Sequence, residues 1–258
     1  MLSPYLDLSN DPDPGHWWGQ IGTAFTSETQ WEEWFASYRE FINYYATFAQ
    51  EAGADMLSIG HELGGVTHRE DDWRRIIQEV RQRFKGPITY YSLDLPVPRA
   101  AFSPNAPHGE DARIKWWDAV DYMGMDVWPL LTNKNAPTVE ELKAAWTDIG
   151  YIARLESLYQ RFNKPIIFTE IGYPSYDGVN KMPALLQPAA AVDLQEQADC
   201  YQAVLEVFWE KPWLAGIFWF QWRAEPGVGG SNDNGDAING KPVIEVLKRF
   251  YLAEEKPK

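Results

Sequence analysis

Short apolar runs alternate with amphipathic helical stretches along the whole chain, and this alternation most narrows what it can fold into. A strand that always leads into a helix before the next strand points to an α/β fold with a parallel sheet. The strand-like runs are 2–8, 55–59, 87–93, 119–128, 165–170 and 215–222. Helices are expected over about 28–52, 70–84, 112–117, 139–162, 194–210 and 243–251. Thr26 or Ser27 can cap the first of these, and Thr138 with Glu141 three residues on fits a reciprocal cap for the fourth. The count is six βα units, whereas a closed βα barrel has eight. The last strand and helix look complete, so the two absent units are expected before Met1.

With 258 residues and 45% hydrophobic content the chain can bury one sizeable core, so 1–258 is expected to be a single domain, N-terminally truncated. A net charge of −14 would repel a phosphate backbone, which argues against nucleic acid as a partner. No apolar run approaches membrane-spanning length, so no membrane partner is expected and the chain reads as soluble. Met1 leads directly into "LSPYLDL" with neither a basic region nor a small-residue cleavage site, so no export signal is visible. The single cysteine, Cys200, cannot form an internal disulfide and leaves the compartment undecided. Aromatic residues make up 15% of the chain, with 13 Trp, many of them near Asp, Glu, Asn or His. That mixture suits sugars, whose CH faces stack on rings while their hydroxyls need hydrogen-bond partners.

Two glutamates each end an apolar run and enter a glycine-containing turn: Glu62 in "MLSIGHELGG" and Glu170 in "PIIFTEIGYPS". In a parallel βα barrel the C-terminal ends of the strands open into the active-site mouth, so carboxylates there read as catalytic. A pair of them suggests glycoside hydrolysis. In the retaining form one carboxyl protonates the leaving oxygen while the other attacks the anomeric carbon, at a separation of roughly 5–5.5 Å. The two must then differ in proton affinity. Glu170 is expected to be ionised, and Glu62 to be kept protonated by a more apolar site. The plain structural alternative makes both of them loop-capping or Arg-paired glutamates.

The segments "PYLDL", "WEEWFASYREFINYYATFAQ", "SIGHEL", "WWDAVDYMGMDVWPLL", "PTVEELKAAW", "PIIFTEIGYPS", "KPWLAGIFWFQW" and "GKPVIEVLKRFY" together resemble glycoside hydrolase family 113, a clan A family of retaining enzymes acting chiefly on β-mannans. The resemblance implies a (β/α)8 TIM-barrel type of fold, incomplete here, with "PYLDL" as barrel strand three, "SIGHEL" four, "FTEIGY" seven and "GIFWFQW" eight. It also implies that Glu62 is the acid/base and Glu170 the nucleophile. Clan A enzymes usually carry Asn immediately before the acid/base, where this chain has His61, and commonly His on the third strand, where it has Tyr5. A Trp typically lies beneath the sugar being cleaved. Trp219 is the preferred candidate, with Trp222 as the outer one, since alternation lets only one of them point inward. Trp17, Trp18 and Trp128 are candidates for further sugar subsites, while Tyr173, Asp7 and Asp126 complete the expected substrate-binding set. Trp116 and Trp117 read as buried against the barrel.

Other motifs dissolve on spacing. In "HELGGVTH" the second His falls seven residues after the first rather than four, so no zincin helix face forms and no metal is expected. "GGSNDNGDAING" lacks the closing Glu of a calcium loop and reads as a flexible loop over the pocket. Phosphate-binding glycine loops and the Gly-x-Ser-x-Gly elbow do not occur. The expectation is therefore an endo-acting retaining β-glycosidase without a cofactor, with β-1,4-mannan as the leading polysaccharide or oligosaccharide partner. The rival is a catalytically inactive carbohydrate-binding protein, or a non-functional fragment of such an enzyme. Unpaired strand edges at the break would favour self-association.

Overall fold

Ser27 opens α1 (Glu28–Glu51) by accepting a hydrogen bond from the Gln30 amide at 3.4 Å, while the Gln30 side chain accepts from the Ser27 amide at 3.1 Å. This reciprocal cap satisfies amides that the first helical turn leaves without partners. The computed structural model describes residues 1–8, 17–94 and 109–253. In chain order it continues with β1 (Leu57–His61), α2 (Glu70–Arg83), β2 (Ile88–Asp94), α3 (Glu110–Arg113) and β3 (Met123–Val127). Then follow α4 (Val139–Asp148), α5 (Tyr151–Phe162), β4 (Ile166–Ile171), α6 (Leu194–Phe208), β5 (Leu214–Trp219) and α7 (Val243–Tyr251). The strands are hydrogen-bonded in chain order, β1-β2-β3-β4-β5, with helix between each pair of neighbours. Such crossovers make neighbouring strands run the same way, as the β1–β2 pairing of Leu57 with Ile88 and Ser58 with Thr89 records.

Contacts group the chain into two units, Met1–Asp126 with Arg161–Ile167, and Val127–Gln160 with Phe168–Lys258. In the first, α2 buries Trp73, Ile76, Ile77 and Val80, the i, i+3, i+4, i+7 face of a helix lying on a sheet. Each such large apolar side chain contributes roughly 1.5–3 kcal/mol relative to exposure. Trp116 and Trp117 are fully buried, as expected from sequence, and Trp116 stacks on Trp73 at 4.9 Å. In the second unit Trp146, Tyr151, Phe168 and Phe208 pack ring on ring, with Trp146 and Phe168 both near 5 Å from Phe208 at 5.0 and 5.1 Å.

The structure departs from the sequence-based expectations at three elements, the first being the helix expected over about 112–117, which is the short α3 followed by a separate 3-10 turn at Trp117–Ala119. The run 2–8 forms a single parallel bridge, Leu2 with Leu57, in place of a strand. Leu2 donates to Met56 O and its carbonyl accepts from Ser58 N, but the next inward-facing amide belongs to Pro4, which has no N–H to extend the ladder. The helix expected over 139–162 is divided into α4 and α5 at Gly150, whose φ of 73° is left-handed. Among the described residues no helix is long and apolar enough to cross a membrane.

Candidate active site

β1 delivers its last residue, His61, and the following Glu62 into a tight turn at the strand's C-terminal end. Gly60 is required there, because a Cβ would lie 2.8 Å from the Tyr90 ring and 3.0 Å from Tyr38 Oη. Glu62 has φ 50°, a left-handed backbone that costs a non-glycine residue about 1 kcal/mol or more. The turn holds this conformation through two hydrogen bonds: the Glu62 amide donates to Tyr91 O at 2.8 Å, and the Leu63 amide to Tyr90 Oη at 2.7 Å. Glu62 itself is 7% exposed.

Around this strand end the first unit gathers several of the residues singled out from sequence. The Tyr5 ring is 4.8 Å from Trp18 and 4.9 Å from His61; Trp17 adjoins Trp18 at 5.5 Å. Tyr5 is 48% exposed, so the cluster reaches solvent through it. His61 Nε2 lies 3.4 Å from Asp126 Oδ2, and Asp126 is fully buried at the end of β3. The distance is that of an ion pair, yet burial lowers the His61 imidazole to about 4. Near neutral pH it is therefore an uncharged ring beside a buried carboxyl. Asp7 is exposed, and no described contact joins it to the cluster.

The second unit carries Glu170 near the end of β4, half-buried. Loss of water around its carboxyl raises it to about 7, so near neutral pH it is only partly ionised, where full ionisation is expected from sequence. Two residues further on, Gly172 passes so close to β5 that a Cβ there would fall 1.8 Å from Phe220 O. Phe220 in turn donates its amide to Ile171 O at 2.8 Å, and its ring lies 5.5 Å from Trp128.

Three expectations in this unit need correction. Trp219 stacks on Tyr201 of α6 at 4.3 Å and donates Nε1 to Tyr251 Oη of α7 at 3.2 Å, so its ring packs on the helix side of β5 and not inward as expected. Alternation along the chain puts Phe220 on the other face, toward Trp128; the period was legible and its phase was not. Tyr173, a candidate for binding sugar hydroxyls, is 1% exposed, with its ring 6.0 Å from Tyr201. The loop "GGSNDNGDAING" is tied down rather than free. The fully buried Lys241 ammonium donates to Ser175 Oγ at 2.8 Å, Gly235 O at 2.9 Å and Asp233 Oδ1 at 3.0 Å. Asp233 in addition accepts from the Gly235 amide at 2.7 Å. Trp222, by contrast, is 64% exposed and open to solvent.

Sequence reasoning missed Lys241 and also Glu196, an almost fully buried carboxylate of α6. Glu196 accepts from the Gly178 amide at 2.7 Å and from Asn180 Nδ2 at 2.7 Å. Asp177, Asp193 and Glu196 bring carboxylate oxygens within 4.8 Å of one another, a spacing that suits a cation. One oxygen of each Asp is engaged within the protein: Asp193 Oδ1 caps α6 at the Gln195 and Glu196 amides, and Asp177 Oδ2 accepts from Asn135 Nδ2 at 2.8 Å. The group reads as the hydrogen-bonded frame of two loops.

Strands in chain order with helical crossovers, and carboxyl and aromatic side chains at strand ends, define an α/β chain of the TIM-barrel type. The family model for Glycoside Hydrolase Family 113 matches residues 1–239, and the chain belongs to that family. Among solved structures, a GH113 β-1,4-mannanase complex is similar at 24% identity with a TM-score of 0.77, over 98% of this chain and 73% of that one. The GH113 β-mannanase AaManA of Alicyclobacillus acidocaldarius, in complex with ManMIm, is similar at 28% identity with a TM-score of 0.69, over 90% of this chain and 67% of that one. A further GH113 β-1,4-mannanase matches at 25% identity and a TM-score of 0.66, and this chain spans 64% of its length. The β-glucuronidase of Ruminococcus gnavus shares the fold alone, at 12% identity, a TM-score of 0.60 and coverage of 92% of this chain against 38% of that one. Among curated proteins none matches.

Proposed function

We propose that this chain is a retaining endo-β-glycosidase that hydrolyses β-1,4-mannan by double displacement, with Glu170 as nucleophile and Glu62 as acid/base. The observation that carries this reading is the placement of both glutamates at C-terminal strand ends, Glu62 directly after β1 and Glu170 within the last residues of β4, in a chain of family 113. The Glu170 carboxylate attacks the anomeric carbon while Glu62 gives its proton to the departing glycosidic oxygen. Glu62, now a carboxylate, then takes a proton from water, whose oxygen displaces Glu170 and leaves the anomeric configuration retained. Tyr5, Trp17 and Trp18 supply ring faces and His61 a neutral polar edge for sugar beside Glu62. Trp128, with Phe220 against it, is the corresponding aromatic surface of the second unit.

The test is a reducing-sugar assay on mannan, glucomannan, xylan and cellodextrins with the full chain. Turnover on mannan is expected, and Glu170→Gln should abolish it while substrate still binds; a variant keeping a tenth of the rate removes Glu170 from the nucleophile role. Glu62→Ala should impair natural glycans far more than aryl glycosides with good leaving groups, which need little protonation. Equal loss on both would remove Glu62 from the acid role. Binding of mannan without any turnover in the unaltered chain would favour the carbohydrate-binding reading instead.

A further inference from the structure

Behind the Glu62 turn lie two buried polar side chains that double displacement does not use. Tyr90 is fully buried on β2, its ring packed against the stacked pair Trp73 and Trp116 at 5.3 and 5.2 Å, which fixes its place. Its Oη accepts the Leu63 amide proton at 2.7 Å and donates its own proton to Glu110 Oε1. The other Glu110 oxygen accepts from the Leu93 amide at 2.8 Å, and Glu110 is 4% exposed. The turn rests on this pair as well: a Cβ on Gly64 would come within 3.7 Å of the Glu110 carboxyl carbon and 3.4 Å of Arg113 Nη2.

Proton counting fixes the direction of the chain. A phenol has one proton and Leu63 offers only a donor, so Tyr90 must give its proton to Glu110, and both Glu110 oxygens act as acceptors. A neutral amide cannot replace that carboxyl without loss, since one end of Gln is a donor and would face either the Leu93 amide or the phenol, whose own proton would then lose its acceptor. Burying a carboxyl to brace a turn is costly where Phe and Leu would fill the same space. Burial at this site therefore asks for a reason beyond packing.

We infer that Tyr90 and Glu110 are positioning residues, holding the Leu63 amide and with it the left-handed turn that aims the Glu62 carboxyl at the leaving oxygen. The inference rests on Glu62 being the acid/base, and the experiment separates the two. Tyr90→Phe and Glu110→Gln, made in the full chain, are compared with Glu62→Ala on β-mannan oligosaccharide and on an aryl β-mannoside with a good leaving group. The readout is kcat/KM, which reports the bond-breaking step. Both variants should lose about 10- to 100-fold on the oligosaccharide, the range expected when a catalytic group is displaced without being removed, and stay within about threefold of the unaltered enzyme on the aryl mannoside.

Equal losses on the two substrates would reduce Tyr90 and Glu110 to ordinary structural residues, and no loss on either would overturn the inference outright. If Glu62→Ala itself shows no leaving-group dependence, it is the acid/base assignment that fails. Amide exchange at Leu63 tests the clamp without activity: it should quicken in Tyr90→Phe relative to amides of β2, and an unchanged rate overturns the inference even where no glycan is turned over. Should Tyr90→Phe fold poorly, Glu110→Gln carries the same comparison.

Discussion

Glu170 and His61 are shifted in opposite directions by the same cause, and the two shifts give opposite pH dependences. Burial raises Glu170 to about 7 from an ordinary value of 4.5, so between those values the folded chain holds a proton that the unfolded chain has released. Its contribution to stability is complete below about 4.5 and is lost as pH rises through about 7. For His61, lowered to about 4 from 6.5, the folded chain lacks a proton the unfolded chain holds, and stability is lost as pH falls through that window. Glu170→Gln removes only the first effect, so its Tm measured against the unaltered chain should rise steadily from pH 5 to pH 7. A flat difference would mean that the carboxyl is not desolvated. The same shift places the acidic limb of kcat/KM near pH 7, since a nucleophile must be ionised. Both glutamates were legible as residues ending apolar runs. That Glu170 would be starved of water was not, because solvation depends on neighbours distant in sequence.

At the scale of elements, local chemistry was read well where the signal is contained within a few residues. The cap of α4 is the clearest example: the Glu141 amide donates to Thr138 Oγ1 at 3.3 Å and the Thr138 amide to Glu141 Oε2 at 3.0 Å, as their spacing predicts. Two of the misread elements turned on single residues whose backbone chemistry outweighs pattern, Pro4 without a donor and Gly150 with a left-handed φ. Trp219 and Phe220 show a different limit, since period-two alternation leaves two phases and only packing against Tyr201 and Tyr251 chooses between them. The close passage of Gly172 under Phe220 was likewise beyond pattern, and it makes a quantitative prediction. Gly172→Ala places a methyl 1.8 Å from the Phe220 carbonyl oxygen, an overlap that only backbone movement relieves, so urea unfolding should show a loss of about 3 kcal/mol. Gly216→Ala on β5 is the control. A Cβ there meets nothing within 4 Å, so stability should stay within about 0.5 kcal/mol of the unaltered chain.

For the molecule as a whole, sheet edge and net charge act against each other. Among the described residues β5 is the last strand in the hydrogen-bonded order, and Phe218 on it is 43% exposed, with Trp222 just beyond. An edge of this kind offers backbone donors and acceptors to another copy. The net charge of −14 repels that copy, and the repulsion reaches as far as the Debye length allows. That length falls from about 30 Å at 0.01 M salt to about 8 Å at 0.15 M, whereas pairing of backbone and apolar side chains is hardly screened. We therefore propose self-association through β5 that strengthens with salt. Sedimentation velocity should show a monomer in 0.01 M salt and a concentration-dependent dimer in 0.15 M or above. Phe218→Lys, which puts a charge on the exposed face of β5, should restore the monomer at both. Association that weakens as salt is added would mean that ion pairs hold the copies together, and dimers persisting in Phe218→Lys would place the contact on another surface.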